Sequence, residues 1–168
     1  MTALIDRIGF ARLVPVAVLG LSVGALAFAY IAEIGFGLEP CPLCLYQRIP
    51  FALAGFLALL ALAGPLSGRL KGTVVFLCGL VFLAGSALAL YHVGVEQQWW
   101  ASAACPGGSV ATLTFEQMQQ ALTAGEPKAC DTVDWRLFGI SMAGYNVVYS
   151  LAAAIGCFFG ARALRIDT

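Results

Sequence analysis

The chain has 168 residues, of which 61% are apolar and only 11% charged, with nine basic groups balancing nine acidic ones. Soluble domains carry roughly a quarter of their residues as charges, so this composition excludes an ordinary soluble fold and marks an integral membrane protein. A formal net charge of zero gives no reason to expect nucleic acid or an acidic substrate.

In chain order, four uncharged apolar runs cover 13–32, 49–66, 72–91 and 138–160. Each has about the ~17–25 residues that a helix needs to cross a ~30 Å hydrocarbon core. The second is long enough only if its helix starts near Cys44, which places Arg48 in its first turns. The expected architecture is all-α: a single membrane domain over 1–168, built as a four-transmembrane-helix bundle. Its helices span about 13–32, 44–66, 72–92 and 138–160, with a long outer loop at 94–137, and Arg48 is the one charge expected inside a spanning helix.

Arg7 and Arg12 ahead of the first run, with Ala27-Phe28-Ala29 inside it, imitate a cleavable signal peptide. The apolar run continues through Tyr30 and Ile31, past that cleavage point, which favours a retained helix. In the second run Pro50 removes a backbone donor near the helix start and is expected to tilt its first turn. Packing inside the membrane should use small residues. Ala54, Ala58, Ala61, Gly79, Gly85, Ser86, Ala143 and Gly144 supply them.

Charge orients the bundle. The two ends and the short link after the second run hold Arg7, Arg12, Arg69, Lys71, Arg162 and Arg165 against Asp6 and Asp167. The opposite side holds Arg48, Lys128 and Arg136 against Glu33, Glu39, Glu96, Glu116, Glu126, Asp131 and Asp134. The positive-inside rule then puts both termini in the cytoplasm and the loops at 33–48 and 94–136 outside, where disulfides persist.

The stretch Cys41-Pro42-Leu43-Cys44-Leu45-Tyr46-Gln47-Arg48 carries the most chemistry. Two cysteines at this spacing can form a small disulfide, supply half of a tetrahedral metal site, or anchor a haem. Haem attachment requires a histidine directly after the second cysteine, and that place is Leu45. At a helix start, backbone amides and the dipole favour a thiolate at Cys44, and Arg48 follows one turn later on the same face. Arg48 has two readings: a functional charge within the membrane, or a long side chain snorkelling to the headgroups.

Six cysteines divide by depth. Cys78 and Cys157 lie deep in the third and fourth runs and read as small buried hydrophobes. Cys41, Cys44, Cys105 and Cys130 lie outside or at a membrane boundary. These four admit redox chemistry, a zinc site completed by His92, or a pair of bracing disulfides. Zinc is disfavoured because Cys105 and Cys130 are 25 positions apart rather than a second close pair.

The Cys-Pro-Leu-Cys run with Tyr46, Gln47 and Arg48, four spanning helices and a second cysteine pair in a long outer loop resemble the DsbB family of the bacterial inner membrane. The resemblance covers nearly the whole chain. It implies a thiol:quinone oxidoreductase that reoxidises a periplasmic DsbA-like thiol oxidase and passes the electrons to ubiquinone or menaquinone. It further implies that Cys105 and Cys130 form the disulfide attacked by the partner, that Cys130 exchanges with Cys41, and that Cys44 meets the quinone. Arg48 matches the family's quinone-site arginine, with His92 and Met142 as weaker matches to the same pocket. The vitamin K epoxide reductase class also couples such a cysteine pair to a quinone, but its cysteine pairs come in the opposite order.

Energetics explain why the resemblance involves a quinone. A DsbA-type oxidase lies at about −120 mV and an ordinary dithiol of this spacing near −270 mV. Moving two electrons between them is uphill by ~150 mV, or about 7 kcal/mol. A Cys44 thiolate in a charge-transfer or covalent adduct with an electron-poor quinone, balanced by Arg48, is expected to offset that cost.

In the outer loop, Thr114 and Gln117 have capping-box spacing. Leu113, Phe115, Met118 and Leu122 then place apolar groups on one side, as a short interfacial helix requires. Gly107 and Gly108 are expected to loosen the chain beside Cys105, and Trp99 and Trp100 to mark the membrane interface. Tyr145, Asn146 and Tyr149 either pack inward or touch the quinone.

Overall fold

The computed structural model describes residues 2–102, 105, 128–133 and 135–166. Among these, four helical spans are long and apolar enough to cross a membrane: Ala11–Gly35, Pro42–Ala63, Gly68–Glu96 and Met142–Arg165. The chain is thus an all-α membrane bundle, as its hydropathy indicates. The expected interfacial helix around Thr114 to Leu122, and Gly107 and Gly108, lie outside the described residues.

Helix α1 covers Thr2–Tyr30 and runs into one widened π-turn, Ile31–Gly35. This extension carries Glu33 into the helical span, so Arg48 is not the only charge there. The second span is broken in two, α2 at Pro42–Tyr46 and α3 at Arg48–Ala63. Pro50 explains the break. It has no amide to bond the Tyr46 carbonyl four residues back, so the ladder lapses at Gln47. Cys41, rather than Cys44, consequently occupies the cap of the first turn, with extended backbone and its sulfur accepting from the Cys44 amide at 3.3 Å.

Helix α4 runs Gly68–Glu96, with the Ser67 hydroxyl accepting from the Leu70 amide at its start. Helix α5, Met142–Ile166, begins four residues later than the apolar run does. The reason is a small antiparallel hairpin, β1 at Arg136–Leu137 and β2 at Ile140–Ser141. Its turn residues Phe138 and Gly139 have φ of 50° and 80°. Positive φ at both central positions defines a type I′ turn, and glycine takes the second at no steric cost. Phe138 is exposed at the hairpin tip and does not belong to a helix.

The most extensive interface joins α4 to α5, followed by α1 on α3 and α3 on α4, while α1 meets α5 only lightly. One core fills the bundle, with Phe51, Ala54 and Ala58 of α3 facing Val75, Cys78 and Phe82 of α4 and Ala154 and Cys157 of α5. Small residues permit this approach: a Cβ built on Gly85 would lie 3.0 Å from Pro50. Cys78 and Cys157 are fully enclosed in that core, as expected of small hydrophobes. A second, smaller cluster sits at the end of the bundle away from the termini and contains Cys41, Leu43, Val95, Cys105 and Cys130.

Candidate functional site

The smaller cluster brings the two separated cysteine pairs together. Cys105 and Cys130 are joined as a disulfide, their Cα atoms 5.7 Å apart, and both pack in the same buried group as Cys41. Cys105 is only 7% exposed, so the loop disulfide is tucked against the bundle.

Cys41 and Cys44 lie with their sulfurs 2.8 Å apart. His92 of α4 reaches the same point, with Nε2 3.6 Å from the Cys41 sulfur. The three donor atoms lie within 4.8 Å of one another. A tetrahedral ion with bonds of about 2.3 Å would hold two thiolates roughly 3.8 Å apart, so the sulfur spacing fits a dithiol or disulfide better than a metal.

Cys41 sits just outside the spanning helices, and its thiol is held well below the ordinary value. The main cause is the hydrogen bond from the Cys44 thiol, with His92 and the Cys44 amide adding to it and burial opposing it.

His92 is 3% exposed and held from both sides. Its Nδ1 faces Gln47 Nε2 at 2.7 Å. Gln47 Oε1 accepts from Asn146 Nδ2, and Asn146 Oδ1 accepts from the Ser150 hydroxyl. On its other side, Nε2 lies 3.9 Å from Glu96 Oε1. Glu96 accepts through its second oxygen from the Ser141 hydroxyl, which also accepts from the Gly144 amide and so caps α5. Three helices thereby meet in one buried polar network.

Arg48 is paired within the bundle. Its guanidinium forms an ion pair with Glu33 at 2.7 Å and lies over the Tyr30 ring, 4.7 Å from the centroid. Its side chain is 15% exposed. The π-turn is what aims Glu33 back at it, and such bulges recur at functional sites.

A cavity of about 470 Å³ joins these groups. Cys41, Cys44, Arg48, His92 and Met142 all line it, so five of the seven site residues expected from the sequence share one space. The other two form the adjoining disulfide. Tyr145, Asn146 and Tyr149 also face the cavity. The Tyr149 hydroxyl bonds the Leu21 carbonyl at 2.8 Å, tying α5 to α1. Phe28, Ala29, Ala32 and Phe51 make most of the wall apolar. An apolar hollow with a few convergent polar groups is the usual form of a small-molecule site.

The sequence assigns no site role to Glu33, Glu96 or Ser141, and Gln47 enters it only as part of the cysteine motif. The available signal was their polarity at the margins of apolar runs, with His92 and Glu96, or Asn146 and Ser150, four residues apart on one helix face. Trp100, expected at the membrane interface, packs on the end of α4. It stacks on Tyr91, donates to the Tyr91 carbonyl at 3.1 Å and covers Gly94 at the end of α4.

Comparison with known proteins agrees with this geometry. The family model described as "Disulfide bond formation protein DsbB" matches residues 11–160. A "Disulfide bond formation protein B" of Xylella fastidiosa strain Temecula1 is 32% identical over 152 residues, covering 84% of this chain and 85% of the relative. Proteins of that name from Xanthomonas euvesicatoria pv. vesicatoria and Acinetobacter baumannii are 34% and 31% identical, covering 84% and 82% of this chain and 86% and 83% of theirs. No solved structure gives a significant match. With four spanning helices, two cysteine pairs at one end of the bundle and a family match over most of its length, the chain belongs to the DsbB family, the multi-pass inner-membrane oxidoreductases of disulfide bond formation.

Proposed function

We propose that this protein reoxidises a periplasmic DsbA-like dithiol oxidase and delivers the electrons through its two cysteine pairs to a membrane quinone, ubiquinone or menaquinone. The observation that carries the reading is the adjacency of Cys41 to the Cys105–Cys130 disulfide on one side and, with Cys44, to the apolar cavity on the other. Both termini are then cytoplasmic and the cysteine clusters periplasmic.

A partner thiolate attacks Cys105 and releases Cys130 as a thiolate. Burial of Cys105 means that the loop must lift for this attack to occur. With Cys41 and Cys44 oxidised to a disulfide, the Cys130 thiolate attacks Cys41, whose packing cluster it shares, and releases Cys44 as a thiolate beside the cavity, while the partner's second thiol displaces Cys105. Over one cycle the partner loses two electrons and two protons and ends as a disulfide.

A quinone in the cavity supplies the two-electron, two-proton sink. Arg48, held by Glu33 and Tyr30, presents positive charge to an oxygen that becomes negative. His92 stands at the Cys41 sulfur, where protons leave or arrive. Met142, Phe51 and Phe28 shape the apolar wall and exclude water.

The test is reoxidation of a reduced DsbA-type protein by the purified protein in detergent with added quinone, with Cys41, Cys44, Cys105 and Cys130 each replaced by serine. Turnover that needs quinone and all four cysteines is expected. Disulfides inert to both partner and quinone would mean that they only brace the loops.

A further inference from the structure

The hydrogen-bond chain behind His92 has a direction. Ser150 is 1% exposed, and its hydroxyl donates to Asn146 Oδ1 at 2.9 Å. The Asn146 amide nitrogen donates to Gln47 Oε1, which turns Gln47 Nε2 toward His92 Nδ1 at 2.7 Å. An amide NH₂ only donates, so Nδ1 must be the bare, accepting nitrogen and the ring proton must sit on Nε2. The other side of the ring suits that arrangement, since Nε2 faces two acceptors, the Cys41 sulfur at 3.6 Å and Glu96 Oε1 at 3.9 Å. The chain crosses from α5 through the break between α2 and α3 to α4, so each helix supplies one part of it.

We propose that Asn146 and Gln47 are positioning residues that fix His92 as its Nε2–H tautomer, so that the ring donates to Cys41 sulfur and holds it as a thiolate when the pair is reduced. Neither Asn146 nor Ser150 contacts the cysteines; they act through Gln47. The charged and titratable groups facing the ring are Cys41, Cys44 and Glu96, with the main chain of Cys130 beside them. Asn146→Asp inverts the chain. A carboxylate can only accept, so Gln47 turns its NH₂ toward it and presents Oε1 to His92, which then needs its proton on Nδ1. Nε2 becomes a lone pair facing a sulfur, and the thiolate loses its donor.

The functional consequence rests on the redox reading of Cys41, while the tautomer itself does not. His92 is the only histidine in the chain, so its ring nitrogens can be read without assignment. In histidine-¹⁵N-labelled reduced protein, the spectrum should show a protonated Nε2 and a bare Nδ1. Asn146→Asp should reverse that pattern. In a Cys44→Ser background with the Cys105–Cys130 disulfide intact, Asn146→Asp should also slow Cys41 alkylation near neutral pH by about tenfold, as loss of a charge-assisted hydrogen bond implies. Asn146→Gln, which retains an amide, should restore part of the rate, a recovery that a packing defect would not predict.

A wild-type spectrum with the proton on Nδ1 overturns the proposal by itself, whether or not the variants fold. So does Asn146→Asp protein that retains the disulfide and keeps the wild-type tautomer. Protein that behaves as stated but never reduces a quinone would retain this inference and reject the electron acceptor proposed above.

Discussion

Glu33 Oε2 lies 2.7 Å from Arg48 Nη2, joining the π-turn after α1 to the first turn of α3 at the rim of the cavity. The Tyr30 ring covers the same guanidinium. Arg48 is therefore a planar group held by an ion pair and covered on one face, and it lines the cavity. An ammonium group has the charge but not this geometry. Arg48→Lys should pair with Glu33 and still lose about tenfold in kcat/KM for quinone, mostly through KM, because one point charge cannot serve the carboxylate and a quinone oxygen together. Glu33→Gln should lose less. Wild-type quinone kinetics in Arg48→Lys would show that the guanidinium's shape is irrelevant.

Hydropathy made the four spans legible because every spanning helix must be apolar along its length, whatever it packs against. The partners of polar residues are a different kind of information. Gln47 looks like one more residue beside Arg48, and its value comes from His92 of α4 and Asn146 of α5, which a single sequence does not place next to it. The start of the second span, with its cap at Cys41 rather than near Cys44, is hidden for a local reason. An apolar run defines where a helix is buried, whereas Pro50 decides where the ladder breaks. Phe138 shows the reverse error, an exposed hairpin tip that apolarity alone assigns to a helix.

The acidity of Cys41 predicts a pH dependence. Its thiol lies below the ordinary value of 9.0, chiefly through the hydrogen bond from Cys44. A group depressed in the folded state adds stability that is complete above the unfolded value and is lost as pH falls through the folded one. Fully reduced protein should thus gain thermal stability over reduced Cys41→Ala as pH rises from about 6 to about 9. A gap in Tm that stays flat or narrows across that window would mean that Cys41 is an ordinary thiol.

Shared packing of Cys41 with the Cys105–Cys130 pair predicts which sulfurs can meet. Replacing both Cys44 and Cys105 by serine leaves Cys41 and Cys130 as the outer thiols. Mild oxidation should join them within one chain, giving a linked peptide pair by mass spectrometry after digestion without reductant. If both thiols remain free while the protein stays folded, the relay from loop to helix does not pass through Cys41.

Ser141 closes the network at its outer edge and connects it to stability. Its hydroxyl donates to Glu96 and accepts from the Gly144 amide at 3.2 Å, so one oxygen satisfies a buried carboxylate and caps α5. Ser141→Ala removes the cap, a loss of about 1 kcal/mol. It also leaves Glu96 short of a donor, which adds about 1–3 kcal/mol for a buried acceptor. The loss should appear as a lower unfolding midpoint and faster amide exchange at Gly144, while Ser141→Thr retains most of both. Glu96→Gln in the Ser141→Ala background separates the two contributions, because a neutral amide costs less to leave unpaired than a carboxylate. Recovery of part of the midpoint in the double variant is expected; no recovery would assign the whole effect to the helix cap.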